Sequence, residues 1–542
     1  MNGSQAIAEI LTREGVECVF CFPFTPILDA LSDAGIRPIV ARQERVAENM
    51  ADGFSRVHSG DQFGVITVQQ AAGVENAFAG IAHAKTDSSP VLFLPGHPGR
   101  DYVGVSPTFD AVENYRATTK WADRIPSAGQ ISQRMRRAYT KLRSGRPGPV
   151  MLEIPVDVAN EPVDSLEYRP PTGLKSSGDP TAVVDACKLI RSSERPMIWA
   201  GQGVLYAQAS GQLTQLAEAI DSPVMTTLLG KSAFNEQHRL SLGAASLSST
   251  QMVKDYIKRC DTIIAIGASV TKTIFAAPIP EGKRIIHITN DVTDINKDCH
   301  PDVSILGDAG LVLDQMLSEL ADEVANPLIR ESERKFVDEV RQAWIQRWSA
   351  KLKSDESPIN PYRVIHDLMT VTNPDNCIVT HDSGNPRDQL VPIYEATVPR
   401  SYLGWGHSTQ LGFSLGASMG AKLAAPEKDV IHFLGDAAFG MVGMDVETAV
   451  REEIPILTML LNNSAMGNYE KNIPISSEKF GTKFLSGNYS DVARGLGAWS
   501  KRVESAAEVV PAIKEGLEQT RNGKAALLEF ITCEEPDMAM GY

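Results

Sequence analysis

The chain has 542 residues, 43% of them hydrophobic, and a formal net charge of −15. That length exceeds what one hydrophobic core supports, so roughly two to four domains are expected, and the acidic balance excludes nucleic acid as the main partner. No apolar run approaches the roughly 18 residues that cross a bilayer, and the opening MNGSQAIAEILTREG reads as neither signal peptide nor anchor, so no membrane contact and a cytoplasmic location are expected.

In the first segment, residues 1–165, helix-like and apolar strand-like stretches alternate. Cys18 and Cys21 flank the strand-like VECVFCF with no second pair nearby, so all seven cysteines read as free thiols. Bulky residues fill the following loop, Phe20 to Pro26, and Phe24 and Thr25 are expected beside a substrate. The run Ile39 to Ala41 delivers Arg42, Gln43 and Glu44 to the start of a helix whose face carries Val46, Met50 and Phe54. A strand ending at Val68 leads through Gln69 and Gln70 into a turn at Ala71 to Gly73. A helix from about Glu75 follows, where Asn76 either caps the helix or touches a ligand.

A polar, proline-bearing linker, about 161–179, precedes a second alternating segment, 180–325, with buried-strand runs such as PMIWAGQGV and DTIIAIGAS. A charged helical bridge, 326–355, leads to the third segment, 356–542. There the strand Cys377 to Thr380 runs into HDSGNPRDQ, and a Gly-rich loop enters a helix at Leu411 and Gly412, a form that lets main-chain N–H groups approach phosphate. The run Ile431 to Leu434 meets Gly435 and Asp436. After a helix-like stretch around Asp445 to Arg451, the run Ile456 to Leu461 ends in Asn462 and Asn463. A strand, crossover helix and parallel strand put Asp436 and Asn463 at one sheet edge. One carboxylate and one amide oxygen are too few for a Ca²⁺ cage and suit Mg²⁺, which keeps positions for water and phosphate oxygens. The whole pattern implies an α/β protein of three doubly wound parallel-sheet domains.

The stretch GDAAFGMVGMDVETAVREEIPILTMLLNNSAMG closely resembles the diphosphate-anchoring motif of thiamine diphosphate (ThDP) enzymes, with Ala437 where the family usually has Gly. RQERVAENMADGF is similar to that family's Arg-His-Glu-Gln helix. The resemblance spans the chain and is strongest to acetolactate synthase-like proteins. It implies that Asp436, Asn463 and the carbonyl of Ala465 hold Mg²⁺, and that Gly435, Ala437, Ala438, Met466 and Gly467 surround the diphosphate with Ser383, Gly384 and Asn385. It further implies that Leu411 supports the cofactor's bent shape, that Gly73 and Asn76 line the pyrimidine side, and that Glu44 relays a proton to the pyrimidine ring.

The same resemblance implies a homodimer or homotetramer whose active site lies between two chains, acting on a small 2-oxo acid by decarboxylation or carboligation. Two alternatives stay open: C–C cleavage like that of oxalyl-CoA decarboxylase or 2-hydroxyacyl-CoA lyase, and a simple benzoylformate decarboxylase-like reaction. Gln69 lies next to the position of a catalytic His in the latter enzymes, and Gln70, His97 and His407 are further substrate-side candidates. GASVTKT, residues 267–273, lacks the family's Arg residues, and GNYEKNI, 467–473, lacks its Trp, which puts flavin (FAD) binding and acetolactate chemistry in question.

Overall fold

The computed structural model describes every residue except Phe24 and Tyr542, so the expectation for Phe24 lies outside the described residues. The apolar runs become short strands buried on both faces, as in Gly64–Thr67, Pro196–Ala200 and Thr262–Ile266. Residues of that kind need helices on both sides of a parallel sheet, and they have them.

The first sheet contains β1 (Cys18–Cys21), β2 (Arg37–Val40), β3 (Gly64–Thr67), β4 (Val91–Phe93), β5 (Gly96–His97), β6 (Trp121–Arg124) and β7 (Val150–Pro155). Its order is β2-β1-β3-β4-β7-β5, with β6 also on β7. The second contains β8 (Pro196–Ala200), β9 (Val224–Thr227), β10 (Ser241–Ala245), β11 (Thr262–Ile266), β12 (Arg284–Thr289) and β13 (Val303–Leu306), in the order β10-β9-β8-β11-β12-β13. The third contains β14 (Cys377–His381), β15 (Tyr402–Leu403), β16 (Asp429–Gly435), β17 (Leu457–Asn462), β18 (Trp499–Val503) and β19 (Ala526–Ile531), in the order β15-β14-β16-β17-β19-β18. Every ladder between these strands is parallel. The chain is thus three parallel α/β domains.

With the two-residue β5 set aside, the first and third sheets share one strand order: second, first, third, fourth, last, last but one. In both, the order reverses direction between the first and third strands, where open α/β sheets leave a ligand crevice at their carboxyl ends. The loops after β1 and β3 flank that point in the first domain, and those after β14 and β16 flank it in the third.

The first and third domains meet through two helices, Glu44–Val57 and Phe413–Ala424, packed backbone to backbone. A Cβ on Gly53 would overlap the Ala417 carbonyl, one on Gly420 the Met50 carbonyl, and one on Gly416 would stand 2.7 Å from the Val46 carbonyl. Val46 and Met50 therefore share one continuous core with Leu415, Met419 and Leu434. Small residues allow this approach, and it sets the start of one helix relative to the start of the other.

Candidate active site

Glu44 is the first residue of its helix, because Gln43 ahead of it is extended (φ −140°) and ends the link from β2. Its side chain is only 6% exposed, and its Oε2 accepts a hydrogen bond of 3.2 Å from Asn76 Nδ2. Asn76 therefore does not cap its helix. That helix starts at Ala72, earlier than the pattern predicts, because Ala71 takes a left-handed φ of 55° and turns the chain at once. Gly73 makes room for the carboxylate: a Cβ there would be 3.3 Å from both Glu44 Oε1 and Gln69 Cβ. Glu44, Gln69, Gly73 and Asn76 form one cluster at the strand ends of the first sheet. Gln70 belongs to an adjoining group, with its Oε1 and Pro26 both against Gly96, the residue before His97. Thr25 places a buried hydroxyl with no protein partner in the same loop as Pro26.

On the third sheet, β16 ends at Gly435 and Asp436 opens a short helix, Asp436–Val442. Asp436 is 3% exposed; its Oδ1 accepts the Ala437 N–H at 2.8 Å, while Oδ2 has no partner. Burial pushes its carboxyl up to about 6, against the N–H groups of Ala437, Ser464 and Ala465 that face it. Gly384 (φ 89°) turns β14 into the helix Asn385–Leu390, and the buried Nδ2 of Asn385 also lacks a partner. Asn385 is aimed at Gly467, where a Cβ would run into its amide, and Gly435 passes close to Pro386. Asn463 Oδ1 holds the Ala465 N–H at 3.1 Å, keeping its second lone pair. Met466 N–H bonds the Lys483 carbonyl at 2.8 Å, and Ala465 bridges Phe484, so the excursion 467–482 is rooted at these residues. Ala438 packs in the core.

These loops carry closely packed glycines, a partnerless carboxylate oxygen and a partnerless amide donor. Among the described residues no group of three or more His, Cys, Asp or Glu side chains could hold a metal alone. The Asp436 carboxylate and the Asn463 amide oxygen suit a divalent cation that takes further ligands from an anion, and the Asn385 amide suits a phosphate oxygen.

Three family profiles match the chain: "Thiamine pyrophosphate enzyme, N-terminal TPP binding domain" over residues 1–120, the central domain over 183–316, and the C-terminal TPP binding domain over 382–530. The chain is a thiamine pyrophosphate enzyme. It is 33% identical over 551 residues to a probable acetolactate synthase large subunit of Methanocaldococcus jannaschii, covering 95% of this chain and 90% of the relative. It is 29% identical over 555 residues to the acetolactate synthase isozyme 3 large subunit of Escherichia coli, covering 98% and 94%. This thiamine pyrophosphate enzyme is thus acetolactate synthase-like along nearly its whole length.

The two candidate histidines of the thiamine pyrophosphate enzyme lie apart. His97 is buried at the end of β5, where its Nδ1 accepts the Gly99 N–H at 3.2 Å and burial lowers its pKa. His407 lines a cavity of about 490 Å³ between the three domains, together with Gly201, Gly267, Ser269 and Asn290 of the central one. Its backbone is fixed by Asp87 of the first domain, which accepts the His407 N–H at 3.0 Å and the Gly406 N–H at 2.8 Å. Arg56, buried beside Asp87, donates to the Gly404 carbonyl at 2.6 Å. Three cations line this cavity, and each already has an acid: Arg143 with Glu14, Arg146 with Asp294, and Lys175 with Asp308.

Other side chains of the thiamine pyrophosphate enzyme escaped the sequence reading. Asn462, first of the Asn pair, is spent inside the fold: its Nδ2 donates to Glu529 Oε1 at 2.7 Å and its Oδ1 accepts the Ser464 N–H at 3.0 Å. Asn49 Nδ2 bridges Glu48 and Gln410, the latter next to Leu411. Behind Leu411 runs a buried chain from Thr458 through His432 and Ser414 to Asp382. Burial pushes His432 down to about 3, so it is neutral. Since Ser414 Oγ donates to Asp382, His432 Nε2 carries the proton that Ser414 accepts, and Nδ1 takes the Thr458 hydroxyl. An Asp directly after the strand Cys377–His381 was the one available signal.

Proposed function

We propose that this chain is a ThDP- and Mg²⁺-dependent enzyme that decarboxylates a 2-oxo acid, with carboligation of the product as in acetolactate synthase-like chemistry. The domains are read as 1–165 for the pyrimidine, 180–325 as the central unit, and 356–542 for the diphosphate. The observation that carries the reading is the pair of partnerless buried atoms, Asp436 Oδ2 and Asn385 Nδ2, on the two loops that flank the strand-order switch of the third sheet. Asp436, Asn463 and the Ala465 carbonyl would hold the cation, and Ser383, Gly384, Asn385 and Gly467 the diphosphate.

When bound, the cofactor supplies a nucleophilic carbon and an electron sink for loss of CO₂. The chain's own residues do the rest. Glu44 holds or releases a proton at Oε1, the oxygen that faces Gly73, while Asn76 orients Oε2. Leu411 supports the ring system, and Thr25, Gln69 and Gln70 border the substrate with hydrogen-bonding groups but no acid or base of their own. His97, kept neutral by burial, is the nearer of the two histidines to that group. The resemblance to acetolactate synthase-like proteins adds to this reading a homo-oligomer in which Glu44 of one chain faces Asp436 of another.

The interdomain cavity supports a second reading, a lyase acting on acyl-CoA thioesters, which needs room for a nucleotide. Arg143 and Arg146 are closely paired with acids and Lys175 lies 3.9 Å from Asp308, which lowers the positive charge offered to a nucleotide diphosphate and favours the first reading. The test is to incubate the purified protein with ThDP and Mg²⁺ against 2-oxo acids and acyl-CoA thioesters, following CO₂ and products. Turnover of thioesters alone would sink the first reading, and the visible spectrum of the same sample reports any flavin.

A further inference from the structure

Leu411 and the loop Ser383–Asn385 can act on one cofactor only if their backbones are held at a fixed separation. Leu411 and Ser383 belong to loops about thirty residues apart in sequence, and among the described residues no hydrogen bond joins either side chain to the other's loop. Their main chains meet on one carboxylate. Asp382 is fully buried at the end of β14 and makes no ion pair among the described residues. Its Oδ1 accepts the N–H of Ser383 at 2.7 Å and of Gly412 at 2.9 Å. Its Oδ2 accepts Gly412 N–H at 3.1 Å, Ser414 N–H at 3.1 Å and Ser414 Oγ–H at 2.5 Å. Gly412 can be so held because it is left-handed (φ 89°) and bare: a Cβ there would stand 2.6 Å from Val442. The loop before Leu411 is fixed from the other side, by Asn49 on Gln410 and Asp87 on His407.

We infer that Asp382 is a positioning residue that sets Leu411 against the diphosphate loop by holding both backbones, with His432 and Ser414 keeping its carboxylate aimed. The inference rests on the reading of Leu411 and Ser383–Asn385 as cofactor-holding residues. Asp382 touches no ligand; it acts through the turn. The chemistry requires an acceptor on both oxygens. In Asp382→Asn one oxygen becomes an amide that confronts N–H donors, so one loop or the other must move. Ser414→Ala removes one donor to Asp382 and the acceptor of the His432 Nε2–H, and leaves the main-chain bonds to Asp382 in place, a milder loosening of the same device.

The test uses Asp382→Asn, Ser414→Ala, Leu411→Ala and the Leu411→Ala/Ser414→Ala double variant, each checked for folding without cofactor by far-ultraviolet circular dichroism. ThDP is then titrated in excess Mg²⁺ by calorimetry, and the near-ultraviolet dichroism of the bound cofactor, which reports the mutual twist of its rings, is recorded. Asp382→Asn is expected to weaken binding by on the order of a hundredfold and Ser414→Ala by about threefold to tenfold, both with an altered cofactor band. In the Leu411→Ala background, Ser414→Ala should no longer change the band. If folded Asp382→Asn and Ser414→Ala bind within about twofold of the parent with its band, the inference is overturned; if Asp382→Asn does not fold, Ser414→Ala decides alone by the same criterion. A Ser414→Ala effect that persists undiminished without Leu411 also overturns it. Failure of the unaltered protein to bind ThDP would instead overturn the site reading.

Discussion

Replacing Glu44 by Gln is the most direct probe of the proposed chemistry, because the structure separates its effect on rate from its effect on fold. The side chain is 6% exposed and makes one side-chain hydrogen bond, from Asn76 Nδ2 at 3.2 Å. A Gln carbonyl oxygen can accept that same bond, and the amide fits the space beside Gly73, so stability should change by no more than about 1 kcal/mol. The proton relay, however, is gone. General acid–base catalysis of this kind contributes about 10²- to 10⁴-fold, equivalent to about 3 to 5 kcal/mol of barrier. The assay is CO₂ release from the best 2-oxo acid at saturating ThDP and Mg²⁺, with thermal unfolding measured in parallel. Turnover within about threefold of the parent, in a folded variant, would refute the assignment of Glu44 and with it the catalytic reading of the first domain.

Gly420→Ala should destabilise the chain by about 2 to 4 kcal/mol, since the new methyl meets the Met50 carbonyl and the roughly 1 kcal/mol gained in helix propensity cannot offset the separation of two helices; urea unfolding that shows no loss would contradict the backbone packing. Burial pushes Glu153 up to about 7, against the pull of Arg124. The folded chain therefore keeps a proton that the unfolded chain has released, and stability should fall by about 2 to 3 kcal/mol as pH rises from 4.5 to 7. A Glu153→Gln variant should lose that slope in Tm, and parallel curves would rule the effect out. Mixed oligomers of Glu44→Gln and Asp436→Asn chains should regain part of the activity that each lacks alone, because one site in each pair combines two intact halves. Hybrids as inactive as their parents would place each site within one chain.

The placement of the proposed cofactor anchor was legible because its pattern is local. A buried strand that ends in Gly-Asp and a second that ends in Asn-Asn can be read from period and length, and β16 and β17 end where those residues stand. Glu44 was legible for the same reason, as the first residue of an amphipathic helix. What the pattern could not tell is what Asn462 does: its amide is claimed by Glu529, a residue of another strand. The start of the Ala72 helix was misplaced because Ala71 adopts a left-handed backbone that sequence would assign to Gly. Asp382 stayed hidden because most of its partners are main-chain N–H groups, those of Gly412 and Ser414 some thirty residues on, which carry no side-chain signature. His407 was grouped with substrate candidates, yet it faces a cavity assembled from three domains, an arrangement no local pattern encodes.

The contact between the helices 44–57 and 413–424 also limits how the enzyme can move. Side chains in an ordinary helix interface can change rotamer and let two bodies slide, but peptide groups pressed together through Gly53, Gly416 and Gly420 have no such slack. The first and third domains of one chain then behave mechanically as a single block, and the catalytic cycle cannot open a hinge between them. Any opening around the site falls to parts with fewer constraints, such as the excursion 467–482, which carries Phe480 at 80% exposure.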